Sequence, residues 1–145
     1  MSDAKDKKAT IYFAGNDLFV GHAPSGHAQV IETDSARNSA ATPMELLLIA
    51  LGACTGDDVI SILKKKRQQV TEYRIEVNGE RRDDFPRSYT RFEVKHIVTG
   101  HEVSAQAVAR AIELSDQKYC SVAATLRGAA EIMTSYEIIE ASEPT

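Results

Sequence analysis

The sequence predicts an α+β domain with the order βββαββααβ, an antiparallel sheet with a long central helix, and three observations carry that expectation. Short β-prone segments separated by turn residues open the chain, an apolar helical stretch with a well-marked start fills its middle, and two long segments of strict alternation follow. With 145 residues, 43% of them hydrophobic, the chain can bury one core of ordinary size, so a single domain over residues 1–145 is expected.

Residues 10–14 and 17–22 read as two strands of a hairpin, because Gly15 and Asn16 between them tolerate the positive φ of a tight turn. A third strand, 26–32, follows the turn-forming Pro24, Ser25 and Gly26. The small polar run TDSARNSAA, residues 33–41, is a loop that delivers the chain to the helix. Thr42 as N-cap, Pro43 at the first helical position and Glu45 three residues after the cap form a capping box. Continued to Gln68, that helix would be roughly 40 Å long. Its first half is apolar nearly all round, more than one small sheet covers, so the second half of its burial is expected from another copy of the chain in a homodimer.

Residues 70–81 and 88–99 alternate with a period of two. Tyr73, Ile75 and Val77 oppose Arg74, Glu76 and Asn78; Thr90, Phe92, Val94, His96 and Val98 oppose Arg91, Glu93 and Lys95. The charged turn RRDDFPR joins them. Residues 104–118 are amphipathic, with Val108, Ala111, Ile112 and Ser115 on one face; 121–133 reads as a further helix and 136–140 as a closing strand.

The formal charge of −4 gives no general electrostatic reason to expect nucleic acid or an anionic membrane as partner. The longest uninterrupted apolar run, from Leu46 to Cys54, is nine residues, against roughly 20 needed to cross a bilayer. The charged start MSDAKDKKAT resembles neither a signal nor a transit peptide, and a cytoplasmic location is expected. In a reducing compartment the two cysteines, Cys54 and Cys120, are read as free or redox-active thiols. Cys120 precedes a helix whose N-terminus would stabilise a negative sulfur; Cys54 has Asp57 and Asp58 at i+3 and i+4, which would disfavour one. No C-x-x-C or H-x-x-x-H spacing is present, so neither metal nor cofactor is expected. From spacing alone, both cysteines also fit the role of small buried hydrophobes.

The segments TPMELLLIALGAC and KYCSVAATL, in the element order around them, resemble the OsmC/Ohr family of thiol-dependent hydroperoxide reductases. The resemblance implies an intertwined homodimer in which a cysteine in the central helix attacks an organic hydroperoxide and a second, about sixty residues later, resolves it. Cys54 and Cys120 occupy those two positions. It also implies reduction by a dithiol such as a lipoylated protein. The characterised peroxidases pair the attacking sulfur with an arginine held by a glutamate directly after the proline that opens the helix. Here Met44 follows Pro43, Glu45 comes one place later with a capping role, and the arginines in question are Arg37 in the loop and Arg87 in the FPR turn. This pattern resembles the less characterised OsmC-like branch. His96 is a candidate base or cation beside Cys54, or else a hydrogen-bonded core histidine. A second functional reading is a dimer on the same fold that binds a small apolar ligand at the subunit interface without efficient peroxide chemistry.

Overall fold

The computed structural model describes residues 6–34 and 36–143, so the first five residues, Ser35 of the polar loop and the last two residues lie outside the described residues. The backbone groups into two compact units, Met1–Leu47 and Leu48–Thr145.

In the first unit, β1 (Thr10–Gly15), β2 (Leu18–His22) and β3 (Ala28–Glu32) form an antiparallel three-stranded sheet in the order β1-β2-β3. The β1–β2 turn works as its residues require, with Gly15, Asn16 and Asp17 all at positive φ. The third strand starts two residues later than the sequence suggests, because Pro24 to Gly26 turn first, with Gly26 N–H donating to the Ala23 carbonyl. Much of this sheet's apolar surface is exposed: Ile11, Tyr12, Phe13 and Val30 all lie open.

Helix α1 (Pro43–Lys65) begins at the capping box. Thr42 N–H donates to Glu45 Oε1 at 2.9 Å and Glu45 N–H donates to Thr42 Oγ1 at 3.3 Å. It ends three residues before Gln68, where Arg67 takes a positive φ and Gln68 N–H reaches back to the Leu63 carbonyl. By length and composition, α1 contains an 18-residue window apolar enough to cross a membrane, with a mean hydropathy of 1.9, a property that core helices of soluble domains share. Its residues Leu51, Val59 and Leu63 are buried, whereas Ile49 is 60% exposed.

The second unit contains β4 (Gln69–Arg81), β5 (Tyr89–His101), α2 (Ala105–Leu114), a π-helical turn (Ser115–Tyr119), α3 (Ser121–Leu126) and β6 (Glu131–Glu140). The sheet order is β4-β5-β6. Strands β4 and β5 pair antiparallel, as expected, but β6 pairs with β5 in parallel from Arg91↔Glu131 to Gly100↔Glu140, which corrects the wholly antiparallel sheet. The cause is the crossover. Helices α2 and α3 carry the chain from the end of β5 back to its beginning, and a strand entered from there runs the same way.

The last helix is also shorter than the sequence suggests, and residues 131–135 belong to the strand. Gly128 and the amides of Ala129 and Ala130, both donating to the Leu126 carbonyl, stop α3. Ile132, Thr134, Tyr136 and Ile138 then pair in register with Phe92, Val94, His96 and Val98 on the core face. On β5, Thr90 is exposed and Tyr89 is buried, the reverse of the expected phase. A bulge between Glu80 and Arg81 leaves Thr90 without an opposing residue and shifts the alternation by one.

Val59 and Leu63 of α1, Val98 of β5 and Ala107, Val108, Ala111 and Ile112 of α2 form one hydrophobic cluster, so both helices cover the same face of the sheet. The close seat of α1 on β4 depends on Gly52 and Gly56, one turn apart. A Cβ at Gly56 would run into Ile75 Cδ1, and one at Gly52 would lie 3.1 Å from Val77 Cγ2. Gly56→Ala gains about 1 kcal/mol of helix propensity and loses about 1–3 kcal/mol to overpacking, so urea denaturation is expected to show a net loss. Removing the offending methyl with Ile75→Val is expected to shrink or reverse that loss. Strictly additive effects of the two substitutions would show that Ile75 is not what excludes a side chain here.

Candidate functional site

Cys54 lies on α1 between the two close-packed glycines and is half-buried. Cys120 is 4% exposed and caps α3, its Sγ accepting a hydrogen bond from Ala123 N–H at 3.4 Å. The two predicted site cysteines come together. Cys54 and Cys120 interact side chain to side chain, and both are free thiols.

The expectation that the helix start would favour a negative sulfur at Cys120 is overturned. Burial pushes its thiol up to about 11; the Ala123 amide opposes this, while hydrogen bonding with Cys54 and the charges of Cys54 and Asp58 add to it. A six-residue helix with one amide on the sulfur does not offset loss of water around a charge.

Of the two acidic neighbours of Cys54, Asp57 is exposed and Asp58 is turned into the structure. Asp58 Oδ2 accepts from Ser115 Oγ at 2.8 Å, and Ser115 Oγ lies 2.8 Å from Thr55 Oγ1. Ser115 and Thr55 are both buried. On β4, Tyr73 hydroxyl meets Nδ1 of His96 at 2.6 Å, the rings nearly parallel at 11°. His96 is fully buried, and its Nε2 has no hydrogen-bond partner among the described residues. Burial holds its pKa down to about 4, so at neutral pH it is uncharged and does not serve as a cation. The hydrogen-bonded core histidine is what the structure contains. Burial, and then the charge of Asp58, raise the Tyr73 hydroxyl.

The remaining candidates lie elsewhere. Glu45 is occupied by the cap, and the Thr42 amide holds its carboxylate below the usual range. The Arg87 guanidinium stacks 4.5 Å over the exposed Phe85 ring. Arg37 is not a loose loop residue. In the first unit its Nε and Nη2 clamp both oxygens of Glu32 at 2.7 and 2.6 Å, Ser39 Oγ adds a bond at 2.8 Å, and Nη2 also bonds the Asn16 carbonyl. The Glu32 side chain is wholly buried, and the arginine fork holds its pKa down at about 2. The chain thus has an arginine–glutamate pair whose glutamate closes β3 instead of following the helix proline. The only trace of it in the sequence is an acidic residue ending a strand five positions before an arginine. No group of three or more histidine, cysteine or carboxylate side chains is placed to hold a metal among the described residues.

A long helix seated on a sheet, presenting one thiol to a second at the start of a short following helix, defines a class of two-cysteine α+β proteins. The chain belongs to the OsmC-like protein family, whose sequence pattern matches residues 36–135. It is 43% identical over 123 residues to Protein YhfA of Escherichia coli, spanning 85% of this chain and 91% of that one. A hypothetical protein from Aquifex aeolicus, solved by crystallography, superposes with a TM-score of 0.84 at 31% identity, covering 96% of this chain and 100% of that one. An organic hydroperoxide resistance protein from Elizabethkingia anophelis shares the fold at a TM-score of 0.67 and 15% identity, covering 94% and 99%.

A neutral buried histidine makes a prediction about acid stability. The unfolded chain takes up a proton near pH 6.5 and the folded one only near 4, so stability is complete above 6.5 and falls as pH drops through that window. The loss is on the order of 2–3 kcal/mol. Chemical denaturation of wild type and His96→Asn between those pH values should show a slope for the first that the second lacks; parallel curves would mean that His96 titrates normally.

Proposed function

We propose that the protein is a thiol-dependent peroxidase that reduces organic hydroperoxides, with Cys54 attacking and Cys120 resolving. The observation that supports this most directly is that the Cys54 side chain is near enough to the Cys120 thiol to act on its ionisation. Cys120, buried and held protonated, suits the second role; Cys54, half-buried, is the sulfur a peroxide reaches first. The Cys54 sulfur attacks the terminal oxygen of the hydroperoxide, the O–O bond breaks, and the organic fragment takes a proton and leaves as an alcohol. Cys54 is then a sulfenic acid. Cys120 condenses with it, forming an S–S bond and releasing water. A dithiol, for example a lipoyl group on a protein, restores both thiols by exchange. Fold kinship with an organic hydroperoxide resistance protein and membership of the OsmC-like family support this direction.

The working unit on this reading is a cytoplasmic homodimer. Ile49, Ala50 and Ala53 stand exposed in the middle of α1, and Ile11, Tyr12 and Phe13 on β1, which is apolar surface a second copy would bury. One observation favours the rival reading of a ligand-binding dimer with slow thiols: the charged neighbour of the pair in its own unit is the carboxylate of Asp58, where a fast thiolate wants a cation.

One equivalent of cumene hydroperoxide is expected to remove both thiols of the wild type rapidly, to leave a trappable sulfenic acid on Cys54 in Cys120→Ser, and to leave Cys54→Ser unreacted. Thiols that persist in the wild type for many minutes would favour the ligand-binding dimer. Sedimentation should give twice the 15.9 kDa chain mass, and a stable folded monomer would contradict the dimer.

A further inference from the structure

The second unit contains a chain of buried hydrogen bonds that the chemistry of the two cysteines has not used. A serine hydroxyl carries one proton, and that of Ser115 goes to Asp58 Oδ2. The 2.8 Å contact with Thr55 is therefore made by the Thr55 proton, giving a directed chain from Thr55 to Ser115 to Asp58. Ser115 is fully buried and opens the π-helical turn, and its own carbonyl accepts the Cys120 N–H at 2.8 Å. A single residue thus grips α1 with its side chain and Cys120 with its backbone. Packing does not require this. Placing a hydroxyl and a carboxylate at a helix–helix contact costs desolvation that an alanine and a leucine would avoid.

Asp58 stands one helical turn after Cys54 on the same face. The titratable groups that feel it from other elements are Tyr73 of β4, with His96 of β5 hydrogen-bonded behind it, and Cys120 at the start of α3. A π turn adds one residue to a helical segment and re-aims the residues beyond it, which is why such turns gather at sites of chemistry.

Resting on the reading of Cys54 and Cys120 as a redox pair, we infer that Asp58 is a positioning residue for that pair, fixing through Ser115 the π turn that holds Cys120 against Cys54. The arrangement has two separable parts. The hydrogen bond sets the distance between the sulfurs, and the carboxylate charge adds to the burial that keeps Cys120 a thiol until a sulfenic acid forms beside it.

Two substitutions separate them. Ser115→Ala removes the hydrogen bond and keeps the charge; Asp58→Asn keeps an acceptor and removes the charge. The full-length protein is equilibrated in glutathione buffers, where protein dithiol and glutathione disulfide give protein disulfide and two glutathione thiols. The carbon-13 shift of the Cys120 Cβ is followed against pH in a Cys54→Ser background. Ser115→Ala should lower the equilibrium constant for the protein disulfide about tenfold without moving the Cys120 midpoint. Asp58→Asn should move that midpoint to lower pH and change the equilibrium constant less than about threefold. Ser115→Thr, which retains the hydroxyl, should restore the wild-type constant. Wild-type values in both variants overturn the inference, as does a Ser115→Thr protein that behaves like Ser115→Ala. Should Ser115→Ala not fold, an unmoved midpoint in Asp58→Asn overturns it alone. No peroxide enters this equilibrium, so shifts of this kind in a protein inert to hydroperoxides would refute the peroxidase and leave the role of Asp58 standing. Fast peroxide reduction with unmoved constants would do the opposite.

Discussion

The second unit depends on how closely α1 approaches β4. Gly52 and Gly56 remove the side chains that would hold the helix off, so Ile75 and Val77 press against its backbone. Cys54 falls between those glycines, and the seat fixes both its height above the sheet and its rotation. The polar side chains of α1 follow that rotation: Thr55 and Asp58 turn toward Ser115, and Asp57 turns to solvent.

The polar network and the apolar cluster do different jobs on the same helix face. Val59, Leu63, Val98 and Ile112 give the non-directional part of the stability, tolerant of small rearrangement. Hydrogen bonds at 2.8 Å are directional and fix the register between α1 and the segment after α2. The first unit uses the same device separately: Glu32, buried and doubly clamped by Arg37, organises the polar loop that leads to the helix cap.

Periodicity made most elements legible in the sequence. The capping box at Thr42 marked the start of α1, and the alternation of Tyr73, Ile75 and Val77 marked a strand with one covered face. The failures have local causes. A helical pattern running from Ser121 to Met133 was broken by Gly128, and the direction of the last strand depended on where the crossover returned, which no local pattern encodes. Both cysteines were visible as candidates, yet the ionisation of Cys120 was misjudged, because a helix terminus is readable from sequence and burial of a sulfur is not. Ser115 did leave a signal: it was the one polar residue on the apolar face of Val108, Ala111 and Ile112. A hydroxyl at a core position has to find a partner, but spacing does not say that the partner is Asp58, 57 positions away. The partner of Arg37 was hidden for a similar reason, since Glu32 reads as an ordinary strand end.

The π turn before Cys120 is also a matter of counting. Five residues occupy it, closed by the Cys120 N–H on the Ser115 carbonyl five positions back, one residue more than an α-helical turn spans. A relative that lost a single residue between Leu114 and Cys120 would keep the cysteine, the helix and every apolar contact of α2, yet its sulfur would face another direction. For the geometry of the thiol pair, then, the length of that segment counts for more than its composition.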